Sequence, residues 1–440
     1  RLAAAAAALL AHASRAEMPF IDSATSFCTS SLVADPDCCK DTDVAAGVQS
    51  MDVRRPGTDW TCTPPGCSDA VTGARGADKL WWPEGADCTT PRVLYVHGGG
   101  WERHGPTDRS YKSLASRLAA EAGSVVLVPD FRLVPLGNYT DAVESLIQAW
   151  NWLSRHGANK EDCSAAPCPP LLIGGDGSGA ATALSLLLKL QGETGGSPAP
   201  AGLFAFSPWA NLRCDTPTYL ENAYAPIDAG STKGYVGDIM LRSPPGNNSA
   251  SMRQLATAYV TGYTELLADP MASPMHATEA QLTGMPPLYF AVGGAEVLAG
   301  DSAILTERAA LRGVPVVQDI FHGMWRAFPM YSEGCGSSSE LWQGKAALRR
   351  AGEFARQVAK AADEHPELIY RHVGSTSPAG GHLAQTSNFY PHVDGTQAWT
   401  VVLPLKIRAL EDQAAAVAAA APAPVVTTAA ATTQSTTTAP

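Results

Sequence analysis

The stretch "LLIGGDGSGAATALSLLLKL", residues 171–190, decides how the rest of the chain is read. Apolar residues run into a cluster of glycines, and small and leucine residues follow at helical spacing. The pattern predicts a buried strand, a tight turn and a helix. Such a turn lifts one side chain above the carboxyl edge of a sheet, where a nucleophile can be presented. The only hydroxyl in the turn is Ser178, which stands one position beyond the expected place.

The same unit recurs on both sides. "RVLYVH" (92–97), "SVVLVPDF" (124–131), "AGLFAFSPW" (201–209), "PLYFAVGG" (287–294) and "VPVVQDIF" (314–321) read as strands. "SLASRLAAEAG" (113–123), "DAVESLIQAWNWLSRHG" (141–157), "SAILTERAALRG" (302–313) and residues 339–363 read as helices. Strands apolar on both faces, alternating with helices, predict an α/β fold with a mainly parallel sheet covered on both sides. Ligands of such sheets sit beyond the carboxyl ends of the strands. Residues 215–285 break the alternation and read as an insertion above the sheet. Residues 17–88 are rich in Cys, Pro, Gly and Asp and read as a loop-rich cap ahead of a domain spanning 89–365. Residues 366–412 carry no readable motif, and the Ala/Thr/Pro-rich 413–440 is expected to be disordered.

The residues after each strand carry the chemistry. "HGGGW" (97–101) brings His97, Gly98, Gly99, Gly100 and Trp101 together; its glycines leave backbone N–H groups able to converge on a developing oxyanion. Farther on stand "PDFRLVP" (129–135), "GGDGSGA" (174–180), "SPWANL", "DPMASPMH", "GGAEVLAGDS" (293–302) and "FHGMWRAF" (321–328). In this order the motifs from about residue 90 to 360 resemble the hormone-sensitive-lipase group of α/β hydrolases, the fold-3 carboxylesterases. That family carries H-G-G-G, D-Y-R-L-A-P, G-D-S-A-G-G, D-P-L-A-S-P and P-G-M-x-H-x-F.

The resemblance implies a serine, an acid and a histidine, and it exposes two departures. Matching Gly175, Asp176 and Gly179 to the family places Gly177 at the nucleophile. Glycine has no side chain with which to form an acyl-enzyme. Ser178 then replaces the family's alanine and contributes its N–H to the oxyanion hole with Gly98 and Gly99; its other reading is a displaced nucleophile. Matching Gly323, Met324 and Phe328 places Arg326 at the base, and a guanidinium cannot accept a proton. His322 is the fallback base. Glu296 occupies the acid position, where an ion pair with Arg326 is expected, and Asp301 is the alternative acid or a helix-start residue. Asp130 and Arg132 resemble a structural pair. Trp101 is a candidate lining residue of the acyl pocket. Trp81 and Trp82 belong to the cap or the core, and His382 and His392 lie in the unread extension.

Two functions follow. One is an impaired hydrolase whose oxyanion pocket and Arg326 hold a small carboxylate or ester. The plant gibberellin receptor, a non-catalytic member of the resembled family that binds an acid, is the precedent. The other is an active carboxylic ester hydrolase using Ser178 with Glu296 and His322. Each departure lies one nucleotide change from the family residue.

Composition narrows the setting. The chain has 440 residues, 45% hydrophobic and 17% charged, so it is long enough for a sizeable core. A net charge of −11 without a basic cluster argues against nucleic acid and anionic membrane surfaces as partners. No apolar run is long enough to span a bilayer. "RLAAAAAALLAHASRA" (1–16) reads as a truncated secretory signal peptide. Ten cysteines, with six ahead of the first motif strand, and the sequons beginning at Asn138 and Asn247 agree with export. Cys62 with Cys67 and Cys163 with Cys168 are close enough in sequence to pair locally. No Cys/His set has zinc spacing, and no cofactor motif is present.

Overall fold

Strands that bury both faces need helices above and below them, and that arrangement is what forms. The computed structural model describes residues 44–55, 77–192, 196–223, 225–226, 235–238, 248–321, 323–333, 340–364, 386–390 and 399–401. The strands are β1 (Val48–Val53), β2 (Asp78–Pro83), β3 (Arg92–Val96), β4 (Val125–Val128), β5 (Leu171–Asp176), β6 (Gly202–Phe206), β7 (Ala225–Pro226), β8 (Tyr235–Val236), β9 (Leu288–Gly293), β10 (Val316–Phe321), β11 (Thr386–Tyr390) and β12 (Trp399–Val401). The longer helices are α1 (Arg109–Ala122), α2 (Tyr139–Leu153), α3 (Gly177–Gly192), α4 (Asn248–Tyr259), α5 (Ala299–Leu311) and α6 (Trp342–Glu364).

Ten strands form one sheet in the order β1-β2-β4-β3-β5-β6-β9-β10-β11-β12, and β7 and β8 pair separately. From β4 to β11 every neighbour is parallel; β1–β2, β2–β4 and β11–β12 are antiparallel. Every residue of β3, β4, β5, β6 and β9 is buried, which is why these segments read as unbroken apolar runs. One face packs on α1 and α6, through residues such as Leu114, Leu118, Leu348 and Ala351. The other packs on α2, α3 and α5, through Leu146, Trp150, Leu184, Leu187 and Leu305. The α/β-hydrolase arrangement implied by the resemblance is the one observed.

Three expectations change. Residues 17–88 are not uniformly irregular: "VQSMDV" and "DKLWWP" become β1 and β2, extending the sheet, with Trp81 and Trp82 buried. The extension 366–412 supplies β11 and β12 beyond β10. The local pair Cys163–Cys168 is not formed, because Cys163 is bonded to Cys88; Cys168 is exposed and Cys214 is buried, both as thiols. The loop between α2 and β5 and the loop after β2 bring Cys88 and Cys163 within 5.4 Å at Cα, although 75 positions separate them. Cys62, Cys67, Asn247, His382, His392 and the segments 1–16 and 413–440 lie outside the described residues.

Candidate active site

The carboxyl ends of β3, β5, β6, β9 and β10 converge on one region, and each contributes a loop. β5 ends at Asp176, and Gly177 opens α3 with φ +52. A side chain there is lifted away from strand and helix: a Cβ built on Gly177 meets nothing within 4 Å. Ser178 lies one step farther, inside the helix and buried. The strained, outward position is therefore 177. The close approach behind it needs Gly179, whose Cβ would overlap the carbonyl oxygens of Val96 and His97. The Trp209 N–H fixes the elbow from β6 by donating to Gly177 O at 3.0 Å.

The loop after β3 holds the glycines. Gly99 and Gly100 have φ +119 and +67, and Trp101 and His104 are also left-handed, at +62 and +71. The N–H of Gly98, expected to face a ligand, is engaged inward instead. It donates to Tyr111 Oη at 2.7 Å and to Asp176 Oδ1 at 3.1 Å. Asp176 also accepts from Tyr95 at 3.1 Å and Tyr111 at 3.0 Å. Burial pushes the Asp176 carboxyl up to about 6 against these hydrogen bonds. Asp176 is thus the brace of the glycine loop. Gly100 N–H donates to Ser178 Oγ at 2.9 Å, so Ser178 is bonded to the glycine loop. His97 closes the strand end, with Nδ1 2.8 Å from Gly98 O and its ring 4.6 Å from that of Phe131. Trp101 stacks on Tyr259 at 4.1 Å, packs on Trp209 at 4.7 Å, and donates from Nε1 to Thr182 Oγ1 at 3.0 Å.

The acid sits at the end of β9. Glu296 is fully buried, and its Oε2 accepts from Ser207 Oγ at 2.6 Å and Gly293 N–H at 2.9 Å. Its Oε1 is buried without a hydrogen-bond partner among the described residues. Desolvation dominates and pushes the Glu296 carboxyl up to about 8, against the pull of Ser207, the Gly293 N–H and Arg326. The loop after β10 lies directly against this acid. Gly294 N–H donates to Phe321 O at 2.8 Å, Ala295 N–H to Met324 O at 3.0 Å, and Ala327 N–H to Ser207 Oγ at 3.0 Å.

Arg326 thus occupies the loop that faces Glu296, but the expected ion pair is not made. Oε2 is held inward by Ser207 and Gly293, and the half-buried Arg326 acts on Glu296 only through space. Asp301 is neither acid nor helix start alone. It is buried in α5, where it accepts from Asn211 N–H at 3.1 Å, Thr216 Oγ1 at 3.0 Å and Tyr219 Oη at 3.0 Å, tying the segment after β6 to the helix. Arg132 reaches Asp141 at 3.4 Å, and Asp130 N–H donates to Asp78 Oδ1 at 2.8 Å. His322 lies outside the described residues.

Sequence reasoning passed over Ser207, Tyr95 and Tyr111. Ser207 is buried at φ +49 and touches both the acid and the loop of Arg326. Its signal was present in "SPWANL", directly after β6.

Residues 93–330 match a family described as alpha/beta hydrolase fold. The chain is 31% identical over 295 residues to an acetyl-hydrolase of Streptomyces hygroscopicus, covering 67% of this chain and 83% of that protein. The chain belongs to this family, within its hormone-sensitive-lipase-like group of carboxylesterases. A second relative, the esterase LipI of Mycobacterium tuberculosis, is 28% identical over 267 residues, 58% of this chain and 73% of LipI. Among solved structures, an esterase/lipase from an uncultured bacterium superposes with a TM-score of 0.55 at 23% identity, over 82% of this chain and 99% of that one. An esterase of the bacterial hormone-sensitive lipase family gives 0.54 at 23% identity, over 81% and 98%. In this chain the glycine loop after β3 and Glu296 after β9 stand at the same end of the sheet as Gly177 and the loop of Arg326.

Proposed function

We propose that this hydrolase-fold protein is catalytically impaired and uses its oxyanion pocket to bind a small carboxylate or ester. The observation that carries the reading is Gly177 at the left-handed elbow, with open space where a nucleophile's side chain would stand. The two relatives carry the names acetyl-hydrolase and esterase. Without a hydroxyl at 177 no acyl-enzyme forms there, and Arg326 has no lone pair with which to take a proton. Triad members act as a unit, so losing two of them removes nearly all of their contribution.

What remains suits an anion. Ser178 N–H lies in the first turn of the 16-residue helix α3, where unpaired amides and the helix dipole favour negative charge. Arg326 adds a permanent cation. Glu296, held neutral by burial, does not oppose it at pH 7.

The test is direct. The purified protein is assayed on p-nitrophenyl acetate and titrated with acetate and butyrate by calorimetry. Turnover indistinguishable from buffer, with carboxylate binding that Arg326→Ala weakens, supports the reading. Turnover that Ser178→Ala abolishes overturns it in favour of an active esterase. Export belongs to the same proposal, supported by the Cys88–Cys163 bond, since disulfides persist in oxidising compartments. Its check is an N-linked glycan on the Asn138 peptide of protein recovered from its own cells.

A further inference from the structure

Cys88 and Cys163 share a disulfide and Cys168 shares a cavity with Cys163, while Arg92 acts on Cys88 and Cys168, away from the candidate active site. Cys88 and Cys163 are bonded, whereas Cys168 is an exposed thiol. Arg92 links them. Its Nη2 donates to Cys88 O at 3.1 Å, its Nη1 to Leu153 O at 2.7 Å, and its charge acts on the Cys168 thiol. Cys163 and Cys168 line the same open cavity of about 510 Å³, with Ser154, Arg155 and Pro198. Cys168 Sγ rests 3.6 Å from Ser154 O, and Cys163 N–H donates to the next carbonyl, Arg155 O, at 2.7 Å. Glu161 places a carboxylate oxygen within 4.8 Å of both disulfide sulfurs. Those sulfurs are bonded to one another, so the grouping is not a pair of thiolate ligands for a metal.

We propose that this cluster is an internal disulfide exchange switch, in which Cys168 displaces Cys88 from Cys163. The Cys168 thiol loses its proton to solvent, and the thiolate attacks Cys163 Sγ. The Cys163–Cys168 bond forms, the Cys88–Cys163 bond breaks, and Cys88 leaves as a thiolate that takes a proton from solvent. One disulfide and one thiol stand on each side, so no external oxidant or reductant is consumed. Burial raises the Cys168 thiol above its ordinary value and Arg92 opposes that rise, so mildly alkaline solution supplies the attacking thiolate.

The two isomers differ in what they hold. The Cys88–Cys163 bond closes a loop of 75 positions, carrying β3, α1, β4 and α2. It also pins the loop ahead of β3 against Gly157, whose Cα hydrogen faces Cys163 Sγ and Asp87 O. The Cys163–Cys168 bond spans only the short turn between those residues. A short closed loop restrains the unfolded chain less than a long one, so exchange converts a tightly tethered form into a looser one.

The native protein is incubated at pH 8 with a catalytic amount of a small thiol such as 2-mercaptoethanol. It is then quenched with iodoacetamide and digested without reduction for mass spectrometry. Two populations are expected: Cys88 linked to Cys163 with Cys168 alkylated, and Cys163 linked to Cys168 with Cys88 alkylated. Cys168→Ser should show only the first and melt as the untreated protein does. Cys88→Ser should show the 163–168 bond and melt at least about 4 °C lower. Recovery of the 88–163 bond alone after incubation overturns the switch. So does Cys88→Ser protein with both remaining thiols alkylated, or Cys88 or Cys163 linked to any other cysteine.

Discussion

Ser207 Oγ donates to Glu296 Oε2 across 2.6 Å, and the same oxygen accepts the N–H of Ala327 at 3.0 Å. One buried hydroxyl therefore joins the loop after β6 to the acid loop after β9 and the loop of Arg326 after β10. Two positions on, Trp209 N–H holds Gly177 O, so a single short segment registers the elbow against the acid. The segment thereby aligns Gly177 with the loop of Arg326, the two positions where the resemblance implies a serine and a histidine.

The preserved register predicts revival. Gly177→Ser combined with Arg326→His should hydrolyse p-nitrophenyl acetate at least about 10³-fold faster than either single variant, because the pair acts as a unit. A Cβ at 177 has open space, and Glu296 Oε1 is the carboxyl oxygen left to meet an imidazole. A serine at φ +52 costs about 1–3 kcal/mol of backbone strain, so the double variant should also melt a few degrees lower. A folded double variant with no activity on any short acyl ester counts against this placement of the two stations.

Removing the hydroxyl of Ser207 should loosen the register. Ser207→Ala leaves Ala327 N–H and one side of Glu296 without their partner, at a cost of about 1–3 kcal/mol in urea unfolding. In the revived double variant it should lower kcat more than it raises KM, because the acid's orientation and not ester binding is disturbed. An unchanged kcat there would reduce Ser207 to a packing role.

Much of this geometry was legible in the sequence, and the parts that were not have physical causes. The strands β3 to β6 and β9 are buried on both faces and mostly apolar, which is the pattern that periodicity detects. β1 and β2 escaped because "VQSMDV" and "DKLWWP" sit among Cys, Gly and Pro and mix charge with apolar residues at an antiparallel edge. Motif order singles out Gly177 and Arg326, and the structure sets Gly177 at a left-handed elbow and the loop of Arg326 against Ser207. The ion pair between Arg326 and Glu296 failed because a carboxylate has two oxygens, and Ser207 with Gly293 anchors one of them inward. That contact depends on a left-handed serine, which residue identity does not announce. The inward turn of the Gly98 N–H likewise depends on Tyr95 and Tyr111 meeting Asp176 from β3 and α1.

Glu296 should make stability fall as pH rises. Its folded value of about 8 lies above the ordinary 4.5, so between those values the native state holds a proton that the unfolded chain has released. Its contribution is fully present below pH 4.5, declines by at most about 1.4 kcal/mol per pH unit, and is lost once pH passes 8. Glu296→Gln should remove this slope while keeping the shape of the side chain. Urea unfolding of both proteins from pH 5 to 8.5 reads it directly. Parallel curves would mean that Glu296 is charged in the native state at neutral pH.

Two glycines two positions apart should respond in opposite ways to one methyl group. At Gly177 a Cβ meets nothing, so Gly177→Ala should fold and lose only about 1–3 kcal/mol to its left-handed φ of +52. At Gly179 a Cβ overlaps the carbonyl oxygens of Val96 and His97, which are rigid backbone at the end of the central strand β3. Relief requires α3 to move away from the sheet, which opens the packing of Ala180, Ala183 and Leu187. Gly179→Ala should therefore yield little soluble protein, or protein that melts at least about 10 °C below Gly177→Ala. Equal melting temperatures for the two variants would show that helix and strand are not in the close contact that defines the elbow.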